Sequence, residues 1–139
     1  HIPSIAKAAL PSDRYFLDCY DFALGLAVQE IGASIWVIPD LELSHQVSSK
    51  IKISTPAGEQ LVTDMPADRV ELLHRNMTYL LTRHSKGIDR VAAALNQGFK
   101  ALKHARRIWK YQLEDRNSKS CAAIRGWLLG LFSLAQQRN

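Results

Sequence analysis

The chain has 139 residues, 47% hydrophobic and 22% charged, with a formal net charge of +5. That balance suits one modest globular domain, or part of a larger one, and excludes a disordered segment. The longest apolar run, Gly126 to Ala135, is ten residues with Ser133 inside it, against about 20 for a spanning helix. No membrane span is therefore expected, and no basic stretch leading into an apolar core marks a signal peptide. Cys19 and Cys121 stand far apart in no Cys-x-x-Cys spacing. This argues against a zinc ribbon or a disulfide framework and suits a reducing cytoplasm.

Residues 1–14, with Pro3 and Pro11, carry little pattern. From there Phe22, Leu24, Leu26, Val28 and Ile31, with Ala23 and Ala27 between, predict a largely buried helix over 20–31 that Gly32 ends. Ser34 to Ile38 is β-rich and stopped by Pro39, so a short strand is expected with Trp36 packed inside. Leu41 to His45 alternates apolar and polar, as a half-buried strand does. Lys50 to Ser54 alternates too, and reads either as an edge strand or as irregular. Thr55 to Met65, with Pro56 and Gly58, reads as a loop.

Beyond that loop, residues 66–136 read as mainly helical. Val70, Leu73, Met77 and Leu81 form an apolar stripe, with Pro66 and Asp68 at the start and Gly87 at the end. Ile88, Val91, Ala92, Leu95, Phe99, Leu102 and Trp109 form a second stripe. Ser118 is the expected N-cap of a third helix, whose apolar face carries Ile124, Trp127, Leu128, Leu131 and Leu134. The fold class is thus α/β, an α+β fragment. Residues 1–55 either end a sheet domain that begins upstream or belong to a small self-sufficient α+β domain, and residues 56–139 form a helical extension; pattern alone leaves both readings open.

Charge divides about ten residues further on, after the loop. Residues 1–65 hold four basic residues against eight acidic ones, and residues 66–139 hold fourteen against five. The basic half calls for an anionic partner. Its densest part is Lys100, Lys103, His104, Arg106, Arg107 and Lys110, with Phe99, Trp109 and Tyr111 interleaved. Such a cluster can be a solvated face, an interfacial helix on anionic lipid, or a nucleic-acid contact. His74, His84 and His104 show no metal-ligand spacing among themselves.

The segment Tyr15-Phe16-Leu17-Asp18-Cys19-Tyr20-Asp21-Phe22-Ala23-Leu24-Gly25-Leu26-Ala27 leads to Gly32, then Ile35-Trp36-Val37-Ile38-Pro39-Asp40, then Leu43-Ser44-His45. This order resembles the C-terminal catalytic segment of family 2 glycosyltransferases, inverting enzymes of the GT-A type, and especially their rhamnosyltransferase-like members. Arg75-Asn76 matches a pair often found in the helical extension of those members. The resemblance implies that residues 1–55 complete a GT-A domain whose nucleotide-binding half is absent from this sequence. It also implies a nucleoside-diphosphate sugar as donor and a glycan or polyprenyl-linked hydroxyl as acceptor.

An inverting transfer needs a carboxylate to take the acceptor's proton, and the resemblance gives that role to Asp21, with Asp18 as a supporting acid. A carboxylate at a helix start also faces the positive end of the peptide dipoles. By themselves, Asp18 and Asp21 would read as an exposed helix start, and His45 as a surface histidine. The resemblance makes His45 a ligand of a divalent metal, Mn²⁺ or Mg²⁺, expected only in the full-length enzyme. Ala23 and Ala27 stand where the family has Glu and Arg, and Gln46 to Ser49 lacks the usual Gly after the His. There is also no Asp-x-Asp motif in the sequence, so residues 1–139 alone are expected to be inactive. Since the family's acceptors are often lipid-linked, anionic membrane contact through Lys100, Lys103, Arg106, Arg107 and Lys110 ranks above nucleic acid. A peripheral place on the cytoplasmic face of the plasma membrane follows. The alternative function is a non-catalytic basic helical module that binds anionic lipid or nucleic acid.

Overall fold

The computed structural model describes residues 19–36, 39, 50–112 and 114–135. The chain forms two compact units, His1–Gln46 and Val47–Asn139, so the 50–55 segment belongs with the helices that follow it. Mostly helical with one two-stranded sheet, the described structure is of mixed α+β class.

In the first unit, α1 spans Tyr20–Glu30, close to the expected limits. Gly32 ends it with a left-handed φ of 73°, and its N–H donates to the Gln29 carbonyl at 2.9 Å. The expected burial is not found: Ala23 is buried, but Phe22 is 66% exposed. A helix apolar on every side needs neighbours on every side, and only Ala23 is fully covered. The strand expected from Ser34 is not formed over residues 34–36, and Trp36, expected inside, is 84% exposed. A strand exists only by pairing, and no described segment pairs with this one. Val37, Ile38 and the strand expected over 41–45 lie outside the described residues.

The second unit opens with a hairpin. β1 (Lys50–Thr55) pairs antiparallel with β2 (Gly58–Thr63), in register from Lys50 opposite Thr63 to Thr55 opposite Gly58. The edge-strand reading of 50–54 is thus the one observed, whereas the loop expected over 55–65 contains a strand. Pro56 holds φ near −65°, and Gly58 takes the positive φ, 104°, that returns the chain. The Thr55 hydroxyl ties the turn by donating to the Gly58 carbonyl at 2.8 Å. Glu59-Gln60-Leu61 shows no alternation because the strand is exposed on both faces there.

Three helices follow: α2 (Ala67–His84), α3 (Gly87–Tyr111) and α4 (Arg116–Ala135). α2 begins after Pro66 with Asp68 in its first turn, as expected, but it ends at His84 rather than at Gly87. Ser85 and Lys86 are extended, and the Ser85 hydroxyl satisfies the Leu81 carbonyl at 2.7 Å. Gly87, with φ 52°, instead starts α3. Ser118 is likewise no cap: α4 starts two residues earlier, after Asp115 in a left-handed conformation (φ 50°).

The most extensive helix contact joins α2 and α4, and it is made through glycine. A Cβ on Gly126 would collide with the Glu71 carbonyl, and one on Gly130 would lie 2.6 Å from Thr78 Cβ and 2.7 Å from the Arg75 carbonyl. Beside this seam, Val70, Ile108, Ala122 and Ala123 form the buried core, with Met65, Ala67 and Ala105 against it. α3 packs through Gly98, which touches the Trp127 ring, and Trp127 Nε1 donates to the Ala94 carbonyl at 3.1 Å. Arg125 pairs with Glu71 along the seam's edge.

Two expected faces are therefore displaced. On α4, Ala122, Ala123, Gly126 and Gly130 are buried while Leu128 is exposed, since only small residues admit backbone contact. On α3, the buried residues are Gln97, Gly98, Ala101 and Ile108. The stripe from Ile88 to Trp109, expected in the core, is exposed apart from its neighbours on the helix shoulder.

Gly126→Ala tests the seam. Mid-helix, Ala is normally better than Gly by about 1 kcal/mol. Here the added methyl meets backbone that cannot rotate away, so a net loss of about 1–3 kcal/mol is expected. It is read as a lower urea midpoint, and an unchanged or raised midpoint would contradict this packing.

Candidate functional site

The feature with most chemical character lies in the second unit, where the C-terminal half of α3 meets the hairpin turn. Residues three and four apart share a helix face, so Lys103, Arg106, Arg107 and Lys110 gather along one side of α3. With Tyr111 and with Thr55, Pro56, Ala57 and Gln60 of the hairpin they line a cavity of about 540 Å³. No carboxylate is among the lining residues, and Asp89, in the first turn, is the one acid on α3. Of the five cations expected to meet an anionic surface, the structure brings four together. Lys100 is exposed on the same helix but does not line the cavity.

The walls are held by specific contacts. Arg107 Nη2 donates to Gln60 Oε1 at 3.1 Å, tying α3 to β2. Lys119 of α4, nearly fully buried, pairs with Asp64 at 2.7 Å and fixes the end of the hairpin. Lys110 Nζ sits 5.1 Å above the Tyr111 ring and Arg116 Cζ sits 4.8 Å above that of Trp109, both cation–π distances. The positive ends of these side chains lie near the C-terminus of α3, whose dipole favours cations.

Under this surface two histidines meet, a contact with no trace in the sequence spacing. His74 Nε2 and His104 Nδ1 are 2.8 Å apart, so one ring donates to the other. Burial, and then the neighbouring His104, hold the His74 pKa down to about 4. His104 is lowered as well, by burial and then by the Arg107 charge.

Of the residues the resemblance assigns to catalysis, Asp21 stands exposed in the first turn of α1. Asp18 and His45 lie outside the described residues. Among the described residues no three His, Cys, Asp or Glu side chains come close enough to hold a metal ion. No described helix is long and apolar enough to cross a membrane. Asn76 is fully buried and accepts from Arg75 Nε at 3.1 Å, so this pair is an ordered part of α2. No protein-family model matches the chain, and no curated protein or solved structure is significantly similar to it.

The histidine pair sets a pH dependence. An unfolded His74 takes up a proton near pH 6.5, while the folded one stays neutral down to about 4. Its contribution to stability is thus fully present above about pH 6.5 and is lost as pH falls toward 4. The urea midpoint should drop across that window, and His74→Gln, which cannot titrate, should flatten the drop. An equal slope in both proteins would remove His74 as its source.

Proposed function

We propose that this chain is the C-terminal part of an inverting sugar transferase of the GT-A type, with Asp21 as the general base. The observation that carries the reading is the exposed carboxylate of Asp21 in the first turn of a helix that a left-handed Gly32 ends. The ordered Arg75-Asn76 pair on α2, the first helix after the hairpin, adds support. In the reaction, Asp21 takes the proton of an acceptor hydroxyl as its oxygen bonds to the anomeric carbon. The bond to the nucleoside diphosphate breaks on the opposite side and the configuration inverts. Asp18 would support Asp21, and His45 would help to hold a divalent cation, which would supply Lewis-acid neutralisation of the charge on the leaving diphosphate. The donor is a nucleoside-diphosphate sugar, with rhamnose the first to try, and the acceptor is a glycan or polyprenyl-linked hydroxyl. A nucleotide-binding half beyond these residues is part of the proposal, because the sequence holds no Asp-x-Asp motif.

The rival reading is a non-catalytic basic module, and the cavity free of carboxylates favours it. The two separate on turnover. In the full-length protein, Asp21→Asn keeps the shape and removes the proton acceptor, so transfer should fall by about 10²–10⁴-fold with donor binding little changed. Transfer at the wild-type rate in the variant would remove Asp21 from this role, and no transfer by the wild-type protein from any nucleotide sugar would favour the module.

A further inference from the structure

The outward face of α3 combines an exposed apolar line with a cluster of like charges. Leu95, Phe99 and Leu102 follow i, i+4 and i+7, and each is more than half exposed. Arg106 continues the same line one turn on, and Trp109, 53% exposed, stands at its edge. Beside that line lie Lys103, Arg107 and Lys110, at the mouth of the cavity formed with the hairpin turn.

We propose that α3 seats the protein on an anionic phospholipid leaflet, with a headgroup phosphate in the cavity and the apolar line in the headgroup–acyl boundary. An amphipathic helix with cations on one side and Trp, Phe and Leu on the other lies in that plane. Lipid meets both demands at once, whereas a soluble anion leaves the apolar line in water and an apolar protein surface leaves four cations unmatched. Guanidinium and ammonium groups converging on one cavity suit a phosphate oxyanion. The hairpin contributes the Gln60 side chain, whose Oε1 accepts from Arg107 and whose amide N–H groups are further donors for it. This docking stands whether or not the chain takes part in sugar transfer, since it uses none of the residues assigned to that reaction.

Cosedimentation with phosphatidylcholine vesicles, alone or mixed equally with phosphatidylglycerol, tests it at low and high salt. The wild-type protein should bind the anionic vesicles only, more weakly as salt rises, with a blue shift of tryptophan emission that Trp109→Phe removes. Lys103→Gln combined with Arg106→Gln should weaken binding roughly tenfold or more. Phe99→Ser combined with Leu102→Ser should weaken it while leaving the salt dependence in place. All four positions are exposed, and unchanged circular dichroism and melting of the variants establish that the fold persists. Equal binding to both vesicle types, or binding unaffected by the cation variant, overturns the proposal. So does saturable binding of inorganic pyrophosphate without vesicle binding, which assigns the cavity to a free phosphate. Tighter binding to random nucleic acid overturns it as well. A concentration-dependent dimer abolished by Phe99→Ser and Leu102→Ser, with no vesicle binding, gives the apolar line to a second copy instead.

Discussion

The second unit depends on the close approach of α2 and α4, where Gly126 and Gly130 let one backbone rest on the other. Helices separated by large side chains bury those side chains between them; helices in backbone contact cannot. Many of the buried residues around this seam are small or polar, Ala122 and Ala123 on α4 and Asn76, Thr78 and Thr82 on α2, while Val70, Tyr79 and Leu80 supply the large buried side chains of α2. Polar groups so placed need partners, and they find several locally. The Thr82 hydroxyl donates to the Thr78 carbonyl at 2.5 Å, and Asn76 accepts from Arg75. The narrow seam leaves little room for α3, which adds Gln97, Gly98, Ala101 and Ile108 to the interior. Its larger apolar residues, one turn further round, are left outside.

That chain of consequences explains which expectations hold. Helices were legible because the 3.6-residue period, Pro66, Asp68 and Gly32 are local signals, and α1, α2, α3 and α4 lie close to their expected ranges. Which face each helix buries was not legible, because it depends on a glycine in another helix. The stripe Ile88 to Trp109 has the right period for a core and sits on the outside. On α4 the rule that large apolar residues face inward picks Leu128, whereas Gly126 is the residue that makes contact. β2 was missed for a related reason: strand pairing is a relation between segments, and Gly58 to Thr63 carries few of the residues that mark a strand by themselves.

For the site, the run of cations is visible in sequence, and the structure adds what gathers four of them. The hairpin turn at Pro56 closes one side of the cavity, and Gln60 anchors Arg107. Pro56 marks a loop in the sequence without showing what it would wall, and Gln60 stands out by neither type nor spacing. The His74–His104 contact was equally hidden, because thirty positions of chain separate two residues that share a surface only once α2 and α3 pack. Asp21 is the reverse case. Its place at a helix start was legible, and the role proposed for it comes from the resemblance alone.

The charge on α3 is costly in principle, yet the fold carries it for clear reasons. The cations are exposed, so water and salt reduce their mutual repulsion, and the helix C-terminus favours them. One of them, Lys110, also lies over the Tyr111 ring, and Arg116 at the start of α4 lies over Trp109. Nothing in the folding of this unit requires them to sit beside Phe99, Leu102 and Trp109, however. A core would be better served by turning that apolar line inward, and solubility by placing carboxylates among the cations. Neither occurs, and one helix face retains both an apolar and a cationic demand. A surface that is anionic at its skin and apolar just beneath would satisfy the two together, which is the reason for proposing a lipid leaflet as the partner.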